Sequence, residues 1–559
     1  MLRSAIAGKH LIKLTEAFNS DGFEIARVVT YNGRLGIAAE SRTAVNYDTG
    51  KPKRAYYLEG TPYESGFLMG SLAEEEISRM TMEFADKVVF SFIGSKVLEK
   101  MKLIQETLIR LIYSLSKEVW SQLRLEIKDE IQGIYDGCKS RNKKTRVDME
   151  HLIVLNTGID IICSRVYPGN LFRDRLRDIE PEDFRIPFMC NAFTISGKSA
   201  GDGYFFGRDF MFPTADVFQD MAAMVVYNPA HAIGKEAIPM ISVTAPGMAG
   251  SISSMNMYGV AMGVNMSPGT NCDPQNIGTN SLLLARLCAQ YCSSAEAAVG
   301  LMAETTRGVS WNYIIADGRN ERSCVAEAGA SGDVPDVTQF PEDDFRPYLP
   351  DSDFIDKHRT ELFRNGIMVR WNDYKYPLEY LTFNHRLWDY YNKKHHTNKK
   401  INTGAFSENS YINKINEKNC PSSFYFAPQR EERDDVLIAA NHYIIPEMRY
   451  FAMSRWTAGI IGDRVNDLQW RYDELNRLIY DELSGKGSIG FEKAKELISF
   501  LTPSGKNPGY YSENPRSKDG REIRIEGCDS VFDLKNMVVE SHYGYYCDKW
   551  VRLSLMKYI

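Results

Sequence analysis

The stretch that most constrains this chain runs from Cys190 to Phe210. One apolar arm, Asn191-Ala192-Phe193-Thr194-Ile195, precedes Ser196-Gly197-Lys198-Ser199-Ala200-Gly201-Asp202-Gly203. A second arm, Tyr204-Phe205-Phe206-Gly207-Arg208-Asp209-Phe210, follows it. Aromatic and β-branched arms around a Gly, Ser and Asp centre read as a β-hairpin. Folding it near Ala200 places Cys190 opposite Arg208 and Asp209, so a thiol, a guanidinium and a carboxylate become neighbours on paired strands. A nearby guanidinium favours the thiolate, which is the nucleophilic form. The competing reading is a small buried Cys beside an ordinary Arg-Asp pair.

With 559 residues the chain can hold two or more domains. A hydrophobic share of 43% and a charged share of 25% fit a globular protein. The net charge of −6 is spread along the chain. Without a basic block, a nucleic-acid partner is not expected. No apolar run of about 18 residues suggests a transmembrane helix, and the N-terminus does not read as a secretory signal. Ten Cys show neither a CxxC pair nor zinc spacing, so reduced thiols in a cytoplasm are expected, with no metal and no cofactor.

Residues 1–57 carry mixed short patterns. Helical periodicity follows from about Phe67 to Lys139, with Ile104, Leu108, Leu111 and Leu115 on one face. Another helix is expected over Asp148 to Cys163. A polar link, Phe172 to Ile186, has the composition of an exposed processing region. After the hairpin, Met221–Tyr227 and Ile238–Val243 read as strands, and Ser253 to Asn265 as two strands around an Asn-x-x-Gly turn. Helices are expected over Thr279–Cys292 and, from a capping box at Ser293-Ser294-Ala295-Glu296, through Met302. Trp311–Asp317 and Cys324–Glu327 read as paired core strands. Residues 331–434 are polar, aromatic and loop-rich. Strand character returns over Asp435–Tyr443, with Asn441 and His442 at the strand's end. A helix follows at Trp470, another over Phe491–Phe500, and strands close the chain.

A Cys opening a strand, a Gly-rich turn and then Gly207-Arg208 resemble the start of the mature chain in N-terminal-nucleophile (Ntn) hydrolases. The closer likeness is to the acyl-CoA:6-aminopenicillanic acid acyltransferases (isopenicillin N acyltransferase, peptidase family C45), relatives of choloylglycine hydrolases and acid ceramidases. Gly60-Thr61-Pro62-Tyr63-Glu64-Ser65-Gly66 resembles that family's pro-region motif. Asn256-Met257-Tyr258-Gly259, Asn312-Tyr313, Asn441-His442 and Arg471-Tyr472 follow in the family's order.

The resemblance implies an α+β fold, the Ntn αββα sandwich of two antiparallel sheets, preceded by a helical pro-region. It divides the chain into a mainly helical pro-region at 1–189, Ntn core at 190–330, an insertion (a lid or substrate subdomain) at 331–434, and the rest of the core at 435–559. It implies autocatalytic cleavage at Met189-Cys190. The freed α-amine, with an ordinary pKa near 7.7–8.0, would serve as base for its own thiol. Asn441 is implied as oxyanion donor. Asn256 is a second candidate or simply a turn-maker. Arg208 would orient the thiolate or a substrate carboxylate.

One departure touches Asp209. The family's hairpin carries an Asp three residues after the Arg, where this chain has Met211. Either Asp209 takes the carboxylate role or the site is altered, and a one-residue shift would turn the side chain to the other face.

The implied reaction cleaves or transfers the acyl group of a small linear amide through a Cys190 acyl-thioester. An acyl-CoA, an amine acceptor and a homo-oligomer are compatible with it. A lipid amide or ester hydrolase of the ceramidase or phospholipase B-like kind is the alternative on the same fold. An uncleaved non-catalytic scaffold and a Cys190-His442 enzyme are the others.

Overall fold

In the computed structural model the described residues are 2–46, 49–84, 102–166, 190–213, 217–230, 236–267, 269, 271–279, 281–332, 365–374, 433–445, 448, 460–461, 464–465, 467–500, 525–543 and 549–559. Met189, the 172–186 link and most of 331–434 lie outside them.

The first described helix, α1 (Leu2–Ser20), leads into strands β1 (Phe23–Tyr31), β2 (Arg34–Val45) and β3 (Pro52–Gly60). The β1–β2 turn is Asn32-Gly33, with φ of 51° and 76°. Asn and Gly accept such backbone most readily, and this turn matches the twist of an antiparallel pair. Helices α2 (Pro62–Leu72), α3 (Glu74–Arg79), α4 (Lys102–Gln122), α5 (Leu125–Arg141) and α6 (Met149–Val166) follow. The segment before Cys190 is therefore mostly helical, but not wholly: its three strands belong to the main sheet.

After it come β4 (Asn191–Ile195), β5 (Phe205–Pro213), the short α7 (Phe218–Met221), β6 (Ala223–Pro229), β7 (Met240–Thr244), β8 (Ser253–Asn256) and β9 (Val260–Met266). Then come α8 (Ser281–Tyr291), α9 (Ala295–Glu304), β10 (Trp311–Asp317), β11 (Arg322–Ala328), β12 (Ile367–Trp371) and β13 (Val436–Ala439). A small ladder, β14 (Ile460–Ile461) with β15 (Arg464–Val465), precedes α10 (Asp467–Lys486) and α11 (Phe491–Ile498). The last strands are β16 (Ile525–Asp533), β17 (Val538–Tyr543) and β18 (Val551–Ser554).

Ten strands form one sheet in the order β1-β2-β3-β6-β7-β8-β9-β10-β11-β12, and six form another, β13-β4-β5-β16-β17-β18. Both are antiparallel apart from one seam, where β3 runs parallel to β6. The central strands β9 and β10 are buried throughout, as their Val, Ile, Met and Trp content requires between two covered faces. Helices α8 and α9 pack on the larger sheet, and α10 and α11 on the smaller. The sheets meet through β5 against β9 and β11 against β13. The result is the expected four-layer αββα sandwich. One boundary needs correction: β12 falls inside the expected 331–434 insertion, yet it pairs with β11 as a strand of the core sheet.

The Gly60–Gly66 motif has a local physical basis. Gly60 takes φ +109°. Thr61 caps α2 in a reciprocal capping box with Glu64, and Pro62 opens the helix. Gly66 then begins a contact of two backbones. A Cβ on Gly66 would stand 2.1 Å from the Glu130 carbonyl oxygen, and one on Gly70 2.2 Å from that of Ile134. Gly133 and Gly137 make the reciprocal approach to Tyr63 and Phe67, each at 2.2 Å. Helices α2 and α5 thus touch backbone to backbone, which only glycine allows.

Buried polar groups join this segment to the core. Glu130 of α5 faces Arg286 of α8 at 3.5 Å and accepts from the Tyr227 hydroxyl at 3.2 Å. Asp160 of α6 accepts from Ser281 Oγ at 2.8 Å and from Trp311 Nε1 at 3.1 Å. Burial pushes the Asp160 carboxyl up to about 7, while the two hydrogen bonds draw it down.

Two predictions follow from this packing. Gly66→Ala should destabilise by about 1–3 kcal/mol or more through overpacking, whereas Gly300→Ala, in α9 with no atom near its added Cβ, should gain about 0.5–1 kcal/mol. Urea midpoints of the two variants check this. Asp160 holds its proton more tightly folded than unfolded, so its contribution is full at low pH and is lost as pH rises toward about 7. The stability difference between the native chain and Asp160→Asn should therefore shift with pH in favour of Asn, as read by urea melts at pH 5 and pH 8.

Candidate active site

The hairpin pairs Asn191 with Asp209 and Ala192 with Arg208. Continuing that register, Cys190 faces Phe210, one residue past the expected Arg208-Asp209 pair. The thiol meets one of the two expected groups, the Arg208 guanidinium, while the Asp209 carboxylate lies on the other face of β5. Cys190 Sγ lies 3.8 Å from the Met211 carbonyl, and the charge of the Arg208 guanidinium acts on the thiol. Cys190, Arg208, Asp209 and Asn441 are all essentially without solvent exposure.

Arg208 points between the sheets. It donates to the carbonyls of Asn191, at 3.3 Å, of Asp209 and of Val264, and its guanidinium sits 5.0 Å from the Phe210 ring. Burial lowers its pKa, opposed first by Cys190 and then by Asp209. Asp209 points to the other face of β5, where its Oδ2 accepts from Asn191 Nδ2 at 3.2 Å. Positions 209 and 211 are two residues apart on one strand and so share a face. Asp209 and Met211 therefore project to one side of β5, away from Arg208.

Asn441 stands at the end of β13, which pairs with β4. Its Oδ1 accepts the Cys190 backbone N–H at 2.7 Å, and its Nδ2 donates to the Met266 carbonyl at 2.7 Å. Among the described residues the second Nδ2 hydrogen has no assigned acceptor. Arg471 of α10 completes the clamp. It donates to the Cys190 carbonyl at 2.8 Å, to Asn191 Oδ1 at 3.0 Å and to Asn441 Oδ1 at 3.0 Å. Both backbone polar groups of Cys190 are thereby fixed by side chains from distant parts of the sequence.

Asn256 is not part of this constellation. Its Nδ2 donates to the Ala289 and Cys292 carbonyls, both at 2.8 Å, and its Oδ1 accepts from the Tyr258 and Val260 backbone N–H groups. Both amide hydrogens are committed to carbonyls at the end of α8, while Oδ1 closes the turn. Val260 and Met266 bound β9, and that strand separates the Asn256 turn from the Cys190 end by roughly 20 Å. The turn-making reading holds. The Asn that does reach the site is Asn265, whose Nδ2 donates to the Ala440 carbonyl at 3.1 Å. His442 turns away: its ring meets Tyr472 edge-on at 5.5 Å, and no bond to Cys190 is present among the described contacts. Arg471 and Asp529, the cross-strand partner of Asp209, are the other residues that sequence reasoning left without a role.

Phe210 is also a wall of an apolar cavity of about 60 Å³ open to the centre of a water-sized sphere. Phe212 of β5, Ile112 of α4, Ile159 and Ile162 of α6, and Leu282 of α8 line the rest. The cavity therefore lies one aromatic ring from Arg208 and is enclosed jointly by the N-terminal helices and the core. No described helix is long and apolar enough to cross a membrane.

An uncharacterized protein of Archaeoglobus fulgidus is 29% identical over 539 residues, covering 96% of this chain and 69% of its own length. Two variants of the conjugated bile acid hydrolase from Clostridium perfringens superpose on 66% of this chain and 93% of theirs, at 9% and 10% identity and TM-scores of 0.31 and 0.29. Residues 214–343, the span that carries β6 to β11, match the sequence model of the acyl-coenzyme A:6-aminopenicillanic acid acyl-transferases, and by that match the chain resembles this Ntn-hydrolase family.

Proposed function

We propose that this chain is an autoprocessing Ntn-type cysteine amidohydrolase or acyltransferase that uses Cys190 as its nucleophile. The observation that carries the proposal is the clamp on Cys190. Its N–H is held by Asn441 and its carbonyl by Arg471, while its thiol faces Arg208. A thiol that only fills space needs no such fixing of its own backbone. A residue that becomes a chain terminus and a nucleophile does, because reacting atoms must stay within a few tenths of an ångström of the productive geometry.

Cleavage before Cys190 converts its N–H into an α-amine that Asn441 Oδ1 is already placed to orient. That amine takes the thiol proton, and Sγ attacks the carbonyl carbon of an acyl amide. The uncommitted N–H of Asn441 donates to the oxyanion of the tetrahedral adduct. The C–N bond breaks, the α-ammonium returns the proton to the leaving amine, and the acyl group remains as a Cys190 thioester. Water or a second amine then attacks the thioester and restores the thiol. Arg208 favours the thiolate form throughout.

The cavity beside Phe210 supports an apolar acyl group. Its lining of Phe, Ile and Leu side chains suits an apolar aliphatic or aryl acyl group.

Acid-quenched turnover of short acyl amides tests this reading. Peptide mass analysis should find the acyl adduct on Cys190. Asn441→Ala should lower kcat by about 10²–10³, the usual loss for one oxyanion donor. Asn256→Ala should leave the per-folded-molecule rate close to that of the native chain. Turnover without an adduct, or an adduct on another residue, would overturn the assignment.

A further inference from the structure

The face of the smaller sheet behind Cys190 carries a row of polar residues. Asn191 pairs with Asp209, Asp209 with Asp529, and Asp529 with His542, each directly across neighbouring strands. All four are buried. Directly opposed residues hold their Cβ atoms about 4.5–5.5 Å apart, so the two carboxyl groups face each other without intervening chain.

Asp209 Oδ2 has the Asn191 amide as donor, but its buried Oδ1 has no donor among the described residues. Its cross-strand neighbour is the Asp529 carboxyl, whose negative charge acts on Asp209. Two ionised carboxylates in such contact, away from water, repel strongly. A proton on one of them removes the repulsion and supplies the missing donor.

Several other titratable groups adjoin the pair. Arg208 and Cys190 lie on the hairpin side. Cys528 adjoins Asp529 on β16, and burial pushes its thiol up beyond the range in which it ionises. His542 Nδ1 is 3.8 Å from Asp529 Oδ2, but burial and Lys53 of β3 hold His542 down to about 3, so it stays neutral. On α11, Lys495 is engaged by Glu540 and Glu492. Arg471 reaches the row at Asn191, donating to its Oδ1 at 3.0 Å. Arg208 opposes the rise in the Asp209 pKa and carries one positive charge.

We propose that Asp209 and Asp529 share one proton at neutral pH, forming a singly charged dyad that balances Arg208 and fixes Asn191 behind the nucleophile. Asp529 is then a positioning residue. It supplies, from a different strand, what the hairpin lacks at Met211. Burial and Asp529 raise the Asp209 pKa well above the usual carboxylate range, with Arg208 opposing them, which is the behaviour of a proton-sharing pair. The functional part of this inference rests on Cys190 being the nucleophile, but the shared proton does not.

Infrared difference spectroscopy of the full chain at neutral pH separates the two. Wild type minus Asp529→Asn, and wild type minus Asp209→Asn, should each show the carbonyl stretch of a protonated carboxylic acid, because either variant retains only the ionised partner. Asp529→Glu should keep the band. The kinetic arm is non-additivity in acyl-amide turnover. Each single Asn variant conserves the single negative charge and should lose no more than about tenfold. The double variant leaves Arg208 unbalanced and should lose at least about tenfold more than the product of the singles. If no acyl amide is turned over, the infrared arm still decides the dyad. Absence of the protonated-carboxyl band from both difference spectra, or purely additive kinetics with Asp209→Asn and Asp529→Asn folded, would overturn it.

Discussion

The hydrogen bond from the Cys190 backbone N–H to Asn441 Oδ1, at 2.7 Å, joins residues 251 positions apart. Most of the site depends on it. It fixes the end of β13 against the start of β4, and through Asn441 Nδ2 it ties both to Met266 at the end of β9. Arg471 then brings α10 onto the same oxygen and onto the carbonyl of Cys190. Strands from both sheets and one outer helix therefore converge on a single residue. Each of these bonds is buried, so leaving one unmade would cost the full desolvation of the orphaned group, on the order of 1–3 kcal/mol. The layers are locked in register by the same contacts that present the thiol.

That arrangement gives the N-terminal segment a definite part. It is not an appended prodomain resting on a finished core. Strands β1 to β3 continue the larger sheet across the β3–β6 seam. Glycines on α2 and α5 let those helices meet without a gap, and Glu130 and Asp160 hold the segment to α8 and β10 through buried hydrogen bonds. The cavity near Phe210 has walls from both sides of Cys190. Cutting one peptide bond before Cys190 would remove none of these contacts.

Much of the architecture was legible in the sequence because alternation, turn chemistry and helical periodicity are local signals. The hairpin around Ala200 is such a case, although its register falls one residue beyond the expected pairing of Cys190. The Asn32-Gly33 turn carried an equally local signal for β1 and β2 that the mixed patterns around it obscured. Other features depend on where the chain returns in space. Asn256 and Asn265 flank the same turn-containing segment, and only the direction of β9 decides which one reaches Asn441. Arg471 stood in a recognisable helix start, but its targets lie near residues 190 and 441. Asp529 had no signal at all, since its role comes from the β5–β16 register. The place of β12 at the edge of the larger sheet was hidden for the same reason, inside a polar, loop-rich stretch.

The most direct test of the central claim is the mass of the purified protein under denaturing and native conditions, beside Cys190→Ala. The account predicts two fragments divided between Met189 and Cys190 under denaturing conditions, a single particle of 63.6 kDa plus one water under native conditions, and an undivided chain for the variant. A wild-type chain that stays whole after prolonged incubation would contradict the free-amine mechanism, and fragments that separate under native conditions would contradict the shared sheet.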